Sequence, residues 1–246
     1  MKTVFNLCYK DNLYMDLFLP EQKEFFIVIH FHGGGLIEGD KGDSHEYCKH
    51  LADQGFAVFT ANYSLLPNNR FPSFCYDAAE AVKYAVDNIS KYGKSKGIII
   101  SGQSAGAYLT LMLCFNNEYL SSLSINNEDI FAFISDAAQP TSHFNILKIE
   151  KGLNPLLQRI DETAPIYYVN ENTKFKHLLL LAYEDDLPNR VEQNKLLLST
   201  IKNFNKEADV SLRILKGYHC HGSSELDNSG EYEVIKVMME WLSSVK

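Results

Sequence analysis

The sequence predicts an α/β protein, a mostly parallel sheet with helices on both faces. Apolar strand-like runs alternate with helix-like stretches along most of the chain, and that alternation is the pattern of βα units. Several runs are almost wholly apolar, as strands buried on both faces are. The 246 residues, 46% of them hydrophobic, suffice for one large domain with a full core.

Thr3 to Cys8 alternates like a strand. Leu13 to Leu19 alternates too and stops at Pro20, as an edge strand does. Phe25 to Phe31 reads as a buried strand, Ser44 to Gln54 as a helix closed by Gly55, and Phe56 to Ala61 as the next strand. Ala78 to Ile89 carries Ala79, Val82, Val86 and Ile89 at helical spacing. Gly97 to Ser101 is a central strand, followed by a helix after Ser104. Ile130 to Ser135 and Leu178 to Ala182 are strands, Arg190 to Phe204 a helix, Val210 to Leu215 a strand, and Tyr232 to Leu242 a terminal helix. The first two strands lack a helix between them, which predicts an antiparallel start. No repeat or linker divides the chain, so residues 1–246 read as a single domain. The long irregular stretch 137–176 carries Pro140, Gly152, Pro155 and Pro165 and reads as a lid or pocket-wall insertion.

The net charge of −8 leaves no basic excess to neutralise phosphates, which argues against nucleic acid as a partner. No apolar run is long enough to span a bilayer, and Thr3 to Cys8 shows no signal-peptide core. Cys8, Cys48, Cys75, Cys114 and Cys220 are scattered, odd in number and free of any C-x-x-C pair. Reduced, mostly buried thiols in a cytoplasmic protein are the expectation. Neither membrane, metal nor cofactor is expected, and the sequence does not set the oligomeric state.

The chemistry starts at Gly102-Gln103-Ser104-Ala105-Gly106, between an apolar strand and a helix-forming stretch. In that context G-x-S-x-G is a nucleophile elbow, with the serine hydroxyl raised above the sheet. Its flanking glycines let strand and helix approach where a Cβ would block them. His32-Gly33-Gly34-Gly35 follows the strand ending at Phe31. Consecutive glycines free backbone N–H groups to face a developing oxyanion, and His32 is expected to shape that loop by hydrogen bonding. Asp185 and Asp186 follow the strand ending at Ala182, and both are candidate acids. His219 and His221 follow the strand ending at Leu215, and both are candidate bases. His219, Cys220 and His221 lie too close together for a structural zinc site. The order Ser, acid, His along the chain is that of a serine acyl-transfer triad on an α/β sheet.

Together these residues resemble the α/β-hydrolase superfamily, and within it the bacterial carboxylesterases and acetyl-esterases with H-G-G-G, related to hormone-sensitive lipase. The resemblance covers nearly the whole chain. Met15-Asp16-Leu17-Phe18-Leu19-Pro20 is similar to the family's L-D-l-y-l-P strand. Asn62-Tyr63-Ser64-Leu65-Leu66-Pro67 stands where the group has D-Y-R-L-A-P, with Ser64 in place of the arginine. Phe71-Pro72 and Asp77 match the family's F-P and helix-opening Asp, and Asp186 with Val191-Glu192-Gln193 matches D-x-x-x-x-V-E-Q. The resemblance implies Ser104 as nucleophile, Asp186 over Asp185 as acid, and the N–H groups of Gly34, Gly35 and Ala105 as oxyanion hole. Related sequences read either H-C or H-G at the base. His219 is preferred, as nearer the strand end, with His221 the alternative.

The expected activity is hydrolysis of short-chain carboxylic esters, such as acetyl or hydroxycinnamoyl esters of sugars, on a small-molecule substrate. With the first strand beginning within ten residues of Met1, no N-terminal cap of the hormone-sensitive-lipase type is expected, and that expectation favours small esters. A peptidase or amidase with the same triad, and a non-catalytic binding protein on the same fold, are the rival readings.

Overall fold

A computed structural model of the chain describes residues 1–245. Its frame is one eight-stranded sheet in the order β1-β2-β4-β3-β5-β6-β7-β8. The strands are β1 (Lys2–Lys10), β2 (Leu13–Leu19), β3 (Glu24–Phe31), β4 (Ala57–Ala61), β5 (Lys94–Gln103), β6 (Ala132–Asp136), β7 (His177–Asp185) and β8 (Asp209–Tyr218). The helices are α1 (His45–Asp53), α2 (Ser73–Asn88), α3 (Ala105–Phe115), α4 (Glu118–Ser121), α5 (Arg190–Phe204), α6 (His221–Ser224) and α7 (Glu233–Ser244).

From β4 to β8 every neighbouring pair is parallel. The antiparallel start is the β1–β2 pair, and β2 runs antiparallel to β4 as well. The chain passes from β2 to β3 without a helix, yet these two strands are not neighbours, because β4 lies between them.

Period-2 side chains build two cores. Ile27, Ile29 and Phe31 of β3 with Leu178 and Leu180 of β7 pack under α2, α3 and α5. Val28, Leu179, Leu181 and Tyr183 face the opposite way, under α1 and α7. Each fully buried leucine of β7 contributes roughly 1.5–3 kcal/mol, and such a strand tolerates no polar face. α3 is buried along its whole length, which is why its sequence is apolar all round.

The parallel strands β3, β5, β6, β7 and β8 all end at the same edge. Phe31 pairs with Gly102, Gln103 with Asp136, Asp136 with Leu181, and Asp185 with Tyr218. The loops that follow them therefore converge, as ligand loops do at the carboxyl ends of open α/β sheets.

Residues 137–176 cover that edge. A π-helical turn, Ile146–Glu150, and a 3-10 turn, Pro165–Tyr168, are their regular structure. The segment is fastened below by Tyr108 Oη donating to Thr163 O (2.8 Å) and by Asn194 Nδ2 donating to Ala138 O (3.1 Å). Its middle is open, with Leu156 at 70% exposure. Among the described residues no helix is long and apolar enough to cross a membrane.

Candidate active site

Ser104 stands between β5 and α3 with φ 53° and ψ −111°, in the sparsely populated region that the sharp turn requires. Two glycines make the turn possible. A Cβ on Gly102 would lie 2.3 Å from the Gly106 carbonyl carbon, and one on Gly106 would lie 2.0 Å from Phe31 O. The Ser104 N–H donates to Asp136 O at 2.8 Å, which fixes the turn to the neighbouring strand.

His219 emerges one residue after β8 and reaches across β6 and β7. Its Nε2 is 2.8 Å from Ser104 Oγ, and its Nδ1 is 2.5 Å from Asp186 Oδ1. A carboxylate only accepts, so Nδ1 carries the proton and Nε2 accepts from the serine hydroxyl. Asp186 follows β7 directly, with a side chain 1% exposed. Its Oδ1 also accepts from Leu187 N (2.7 Å) and its Oδ2 from Tyr183 N (3.3 Å). The structure brings Ser104, His219 and Asp186 together and leaves the other two candidates apart. Asp185 is exposed and paired within the sheet opposite Tyr218. His221 opens α6, with its Nδ1 3.9 Å from Glu225 and its ring edge-on to Tyr218, and it does not reach Ser104.

The glycine loop after β3 is held from behind. His32 is buried, and burial keeps its ring below the ordinary histidine pKa against the pull of Asp40 and Asp43. The neutral ring donates from Nδ1 to Gly33 O at 2.7 Å and stacks on Tyr63, centroids 4.4 Å apart. Tyr63 Oη in turn donates to His32 O at 2.8 Å. Gly34 has φ +107°, and a Cβ there would lie 2.0 Å from Glu38 O. Gly35 has φ +63°, and its carbonyl accepts from Asn145 Nδ2 at 2.7 Å. Ala105 opens α3, where backbone N–H groups lack helical partners and the helix dipole favours negative charge.

Several residues that complete this edge were not singled out from sequence. Asp136, at the end of β6, is buried and accepts from Tyr183 Oη (2.8 Å) and Ser223 Oγ (2.5 Å). Burial raises its pKa to about 6, opposed by those two hydrogen bonds and by His219. Asn145 joins segment 137–176 to the glycine loop. An aspartate closing the apolar run Phe133-Ile134-Ser135 was the available signal for the first. Nothing local marks Asn145.

Two hollows adjoin the loops that carry these residues, through Leu187 and Gln103. One, about 280 Å³, is lined by Gln139, Phe144, Leu156, Leu187, Arg190 and Gln193, among others. The other, about 310 Å³, is lined by Gly33, Gly34, Glu38, Gly39, Asp43 and Gln103. Among the described residues no cluster of three or more ligating side chains could hold a metal ion.

The profile of the BD-FAE family matches residues 15–199, which spans the strand carrying Asp16, the glycine loop, Ser104 and Asp186. The chain belongs to the BD-FAE family. The mycobacterial esterase LipI of Mycobacterium tuberculosis is 29% identical to this BD-FAE chain over 96 residues, 38% of the chain and 30% of LipI. Neutral cholesterol ester hydrolase 1 of Mus musculus is 28% identical over 174 residues, 68% of the chain and 38% of that enzyme. The chain therefore matches only about a third of the length of these curated relatives. Among solved structures, esterase B from Lactobacillus rhamnosis superposes with a TM-score of 0.80 at 16% identity, covering 99% of this chain and 84% of the other. Thermogutta terrifontis esterase 2 phosphoramylated by tabun gives 0.79 at 16% identity, covering 98% and 94%. At that identity the likeness establishes the α/β-hydrolase fold.

Proposed function

We propose that this BD-FAE protein hydrolyses carboxylic esters through an acyl-enzyme on Ser104. The hydrogen-bonded chain Ser104–His219–Asp186 on one sheet edge carries this reading. As Ser104 Oγ attacks the ester carbonyl, His219 Nε2 takes its proton and Asp186 holds the resulting imidazolium. The carbonyl oxygen becomes an oxyanion facing the N–H groups of Gly34, Gly35 and Ala105. Collapse breaks the bond to the alcohol, which leaves with the proton from His219. Water then attacks the acyl-serine with His219 as base, releasing the carboxylic acid and restoring Ser104.

Short acyl esters are the substrates this reading favours. A hollow of about 280 Å³ adjoins the loop that carries Asp186, through Leu187. Segment 137–176 acts as a pocket wall, contributing Gln139, Phe144, Pro155, Leu156 and Gln158. The second hollow, with Glu38, Asp43 and Gln103, offers acceptors to a hydroxyl-rich alcohol such as a sugar.

Hydrolysis of p-nitrophenyl acetate, butyrate, octanoate and palmitate, beside acetylated and feruloylated sugars, tests the proposal. Wild type should prefer the short acyl chains, and Ser104→Ala should lose turnover of all of them. Ester turnover retained by a folded Ser104→Ala protein would overturn the mechanism.

A further inference from the structure

Arg190 is a buried cation with no direct ion pair among the described residues. It is the first residue of α5 and is 4% exposed. Its Nη1 donates to Gln193 Oε1 at 3.1 Å, its Nε has no partner, and it forms no ion pair among the described residues. Burial lowers its pKa to about 10, opposed by the nearby Asp186, so it stays charged at neutral pH. A buried charge without a partner is costly and is normally paired.

Arg190 is one of the residues that line the hollow of about 280 Å³. Leu187, beside the acid Asp186, forms one wall, and Phe144 another. Phe144 precedes Asn145, which bonds the glycine loop, and its ring lies 3.5 Å from the position of a Cβ on Gly35. The hollow therefore adjoins both the acid loop and the oxyanion loop. The rest of its lining is apolar or amide: Pro155, Leu156, Pro188, Gln139 and Gln158. Gln193 also donates to Gln158, so the guanidinium is braced from segment 137–176. α5 starts here without a side-chain cap from Asn189, which brings the positive end of the helix dipole to the same place.

We propose that the hollow at Arg190 receives a carboxylate, so that the preferred esters carry a free carboxylate on the part of the molecule that enters it. The idea rests on the ester-hydrolase reading above. A guanidinium N–H gives a carboxylate a charge-assisted hydrogen bond, stronger than one between neutral groups. A hollow that adjoins the loop carrying Asp186 suits a chain of a few carbons between ester and carboxylate. Glu38 and Asp43 line the opposite hollow, so a carboxylate on the substrate has one favourable side and one repulsive side.

The test compares kcat/KM within matched pairs. Monoethyl succinate, glutarate and adipate are set against neutral ethyl esters of equal length, with the charge on the acyl side. 3-Acetoxypropanoate is set against propyl acetate, with the charge on the alcohol side. Wild type should favour the charged member of at least one series by about tenfold, the size of a charge-assisted hydrogen bond. Arg190→Met should bring that ratio to about 1 or below, and Arg190→Lys should keep part of it. Because each ratio is taken within one protein, a general loss of activity or folding cancels. Free glutarate should also inhibit neutral-ester turnover competitively in wild type, which needs no variant. Equal rates for charged and neutral members of both series in wild type would overturn the proposal, as would an unchanged ratio in Arg190→Met. A folded wild type that hydrolyses none of these esters would instead overturn the ester-hydrolase reading beneath it.

Discussion

At the scale of single residues, the triad makes an asymmetric prediction for the two histidines. Only His219 bridges Ser104 and Asp186, while His221 points to Glu225 at 3.9 Å. Ser104→Ala and His219→Ala should each lower kcat/KM on a short ester by about 10⁵-fold or more, because triad members act as a unit. His221→Ala should change it less than about threefold, since surface changes away from the site cost little. Steady-state kinetics with thermal melts to confirm folding decide it, and a His221→Ala loss equal to that of His219→Ala would count against the assignment. Asp136 gives a second residue-scale prediction. Its folded pKa of about 6 lies above the ordinary carboxylate value of 3.8, mainly through burial. The folded state therefore holds an extra proton between the two values. The contribution of this group to stability is fully present below about pH 4 and is lost as pH rises through 6. The shift corresponds to about 3 kcal/mol at most. Denaturant unfolding at pH 4.5 and pH 7.5 should show a fall in wild type that Asp136→Asn lacks, by about 2 kcal/mol. Ser104, Asp186 and His219 were legible because their motifs sit at strand ends in the right order. Asp136, Tyr183 and Asn145 were not, because a lone polar residue in an apolar run shows its partner only after the strands are assembled.

At the scale of elements, helix α5 occupies the span its sequence predicts, Arg190–Phe204, and β2 the span Leu13–Leu19. Helix α2 begins at Ser73, five residues ahead of the expected Ala78. Its first turn buries Phe74 and Cys75, and Asp77 accepts from Lys10 Nζ (2.6 Å) and Ser64 N (3.0 Å). Those contacts come from β1 and from the segment after β4, so local periodicity underestimates the helix. β5, β7 and β8 outrun their apolar runs, because pairing with neighbours continues into polar residues such as Lys94, Asp185 and Tyr218. The short helix α4 carries no amphipathic pattern and was not anticipated. The glycines of the elbow make the element-scale prediction. Gly106 lets α3 pass against β3, and a Cβ there would stand 2.0 Å from Phe31 O, a backbone atom that cannot step aside. Gly106→Ala should destabilise by about 2 kcal/mol or more, at the upper part of the overpacking range. A mere rotamer change cannot relieve it. Chemical denaturation of this variant beside Gly33→Ala measures the difference, because a Cβ on Gly33 meets only ordinary contacts at 3.6 Å.

At the scale of the whole molecule, strand alternation announced a parallel sheet, but not the order that inserts β4 between β2 and β3. That order is a set of pairings between distant segments, and no local pattern encodes it. Its consequence is functional. By placing β3 and β5 side by side, it sets the glycine loop against Ser104, while β6 spaces Ser104 from the acid on β7. Residues 137–176 reach the glycine loop through Asn145 Nδ2, which donates to Gly35 O at 2.7 Å. Asn145 touches none of the triad in this chain of contacts, so under the proposed mechanism its role is to position the glycine loop. Asn145→Ala should leave the melting temperature within a few degrees, since one hydrogen bond contributes about 1 kcal/mol. It should lower kcat about tenfold or more, since small misplacements at a reacting centre cost rate steeply. KM should change far less, because the loop N–H groups act on the oxyanion of the transition state and little on the bound ester. Asn145→Asp keeps the shape but sets a carboxylate against the Gly35 carbonyl, so it should be at least as slow. A fall in KM and kcat together, tracking a lost melting temperature, would make Asn145 a packing residue and leave the loop to be held by His32 and Tyr63 alone.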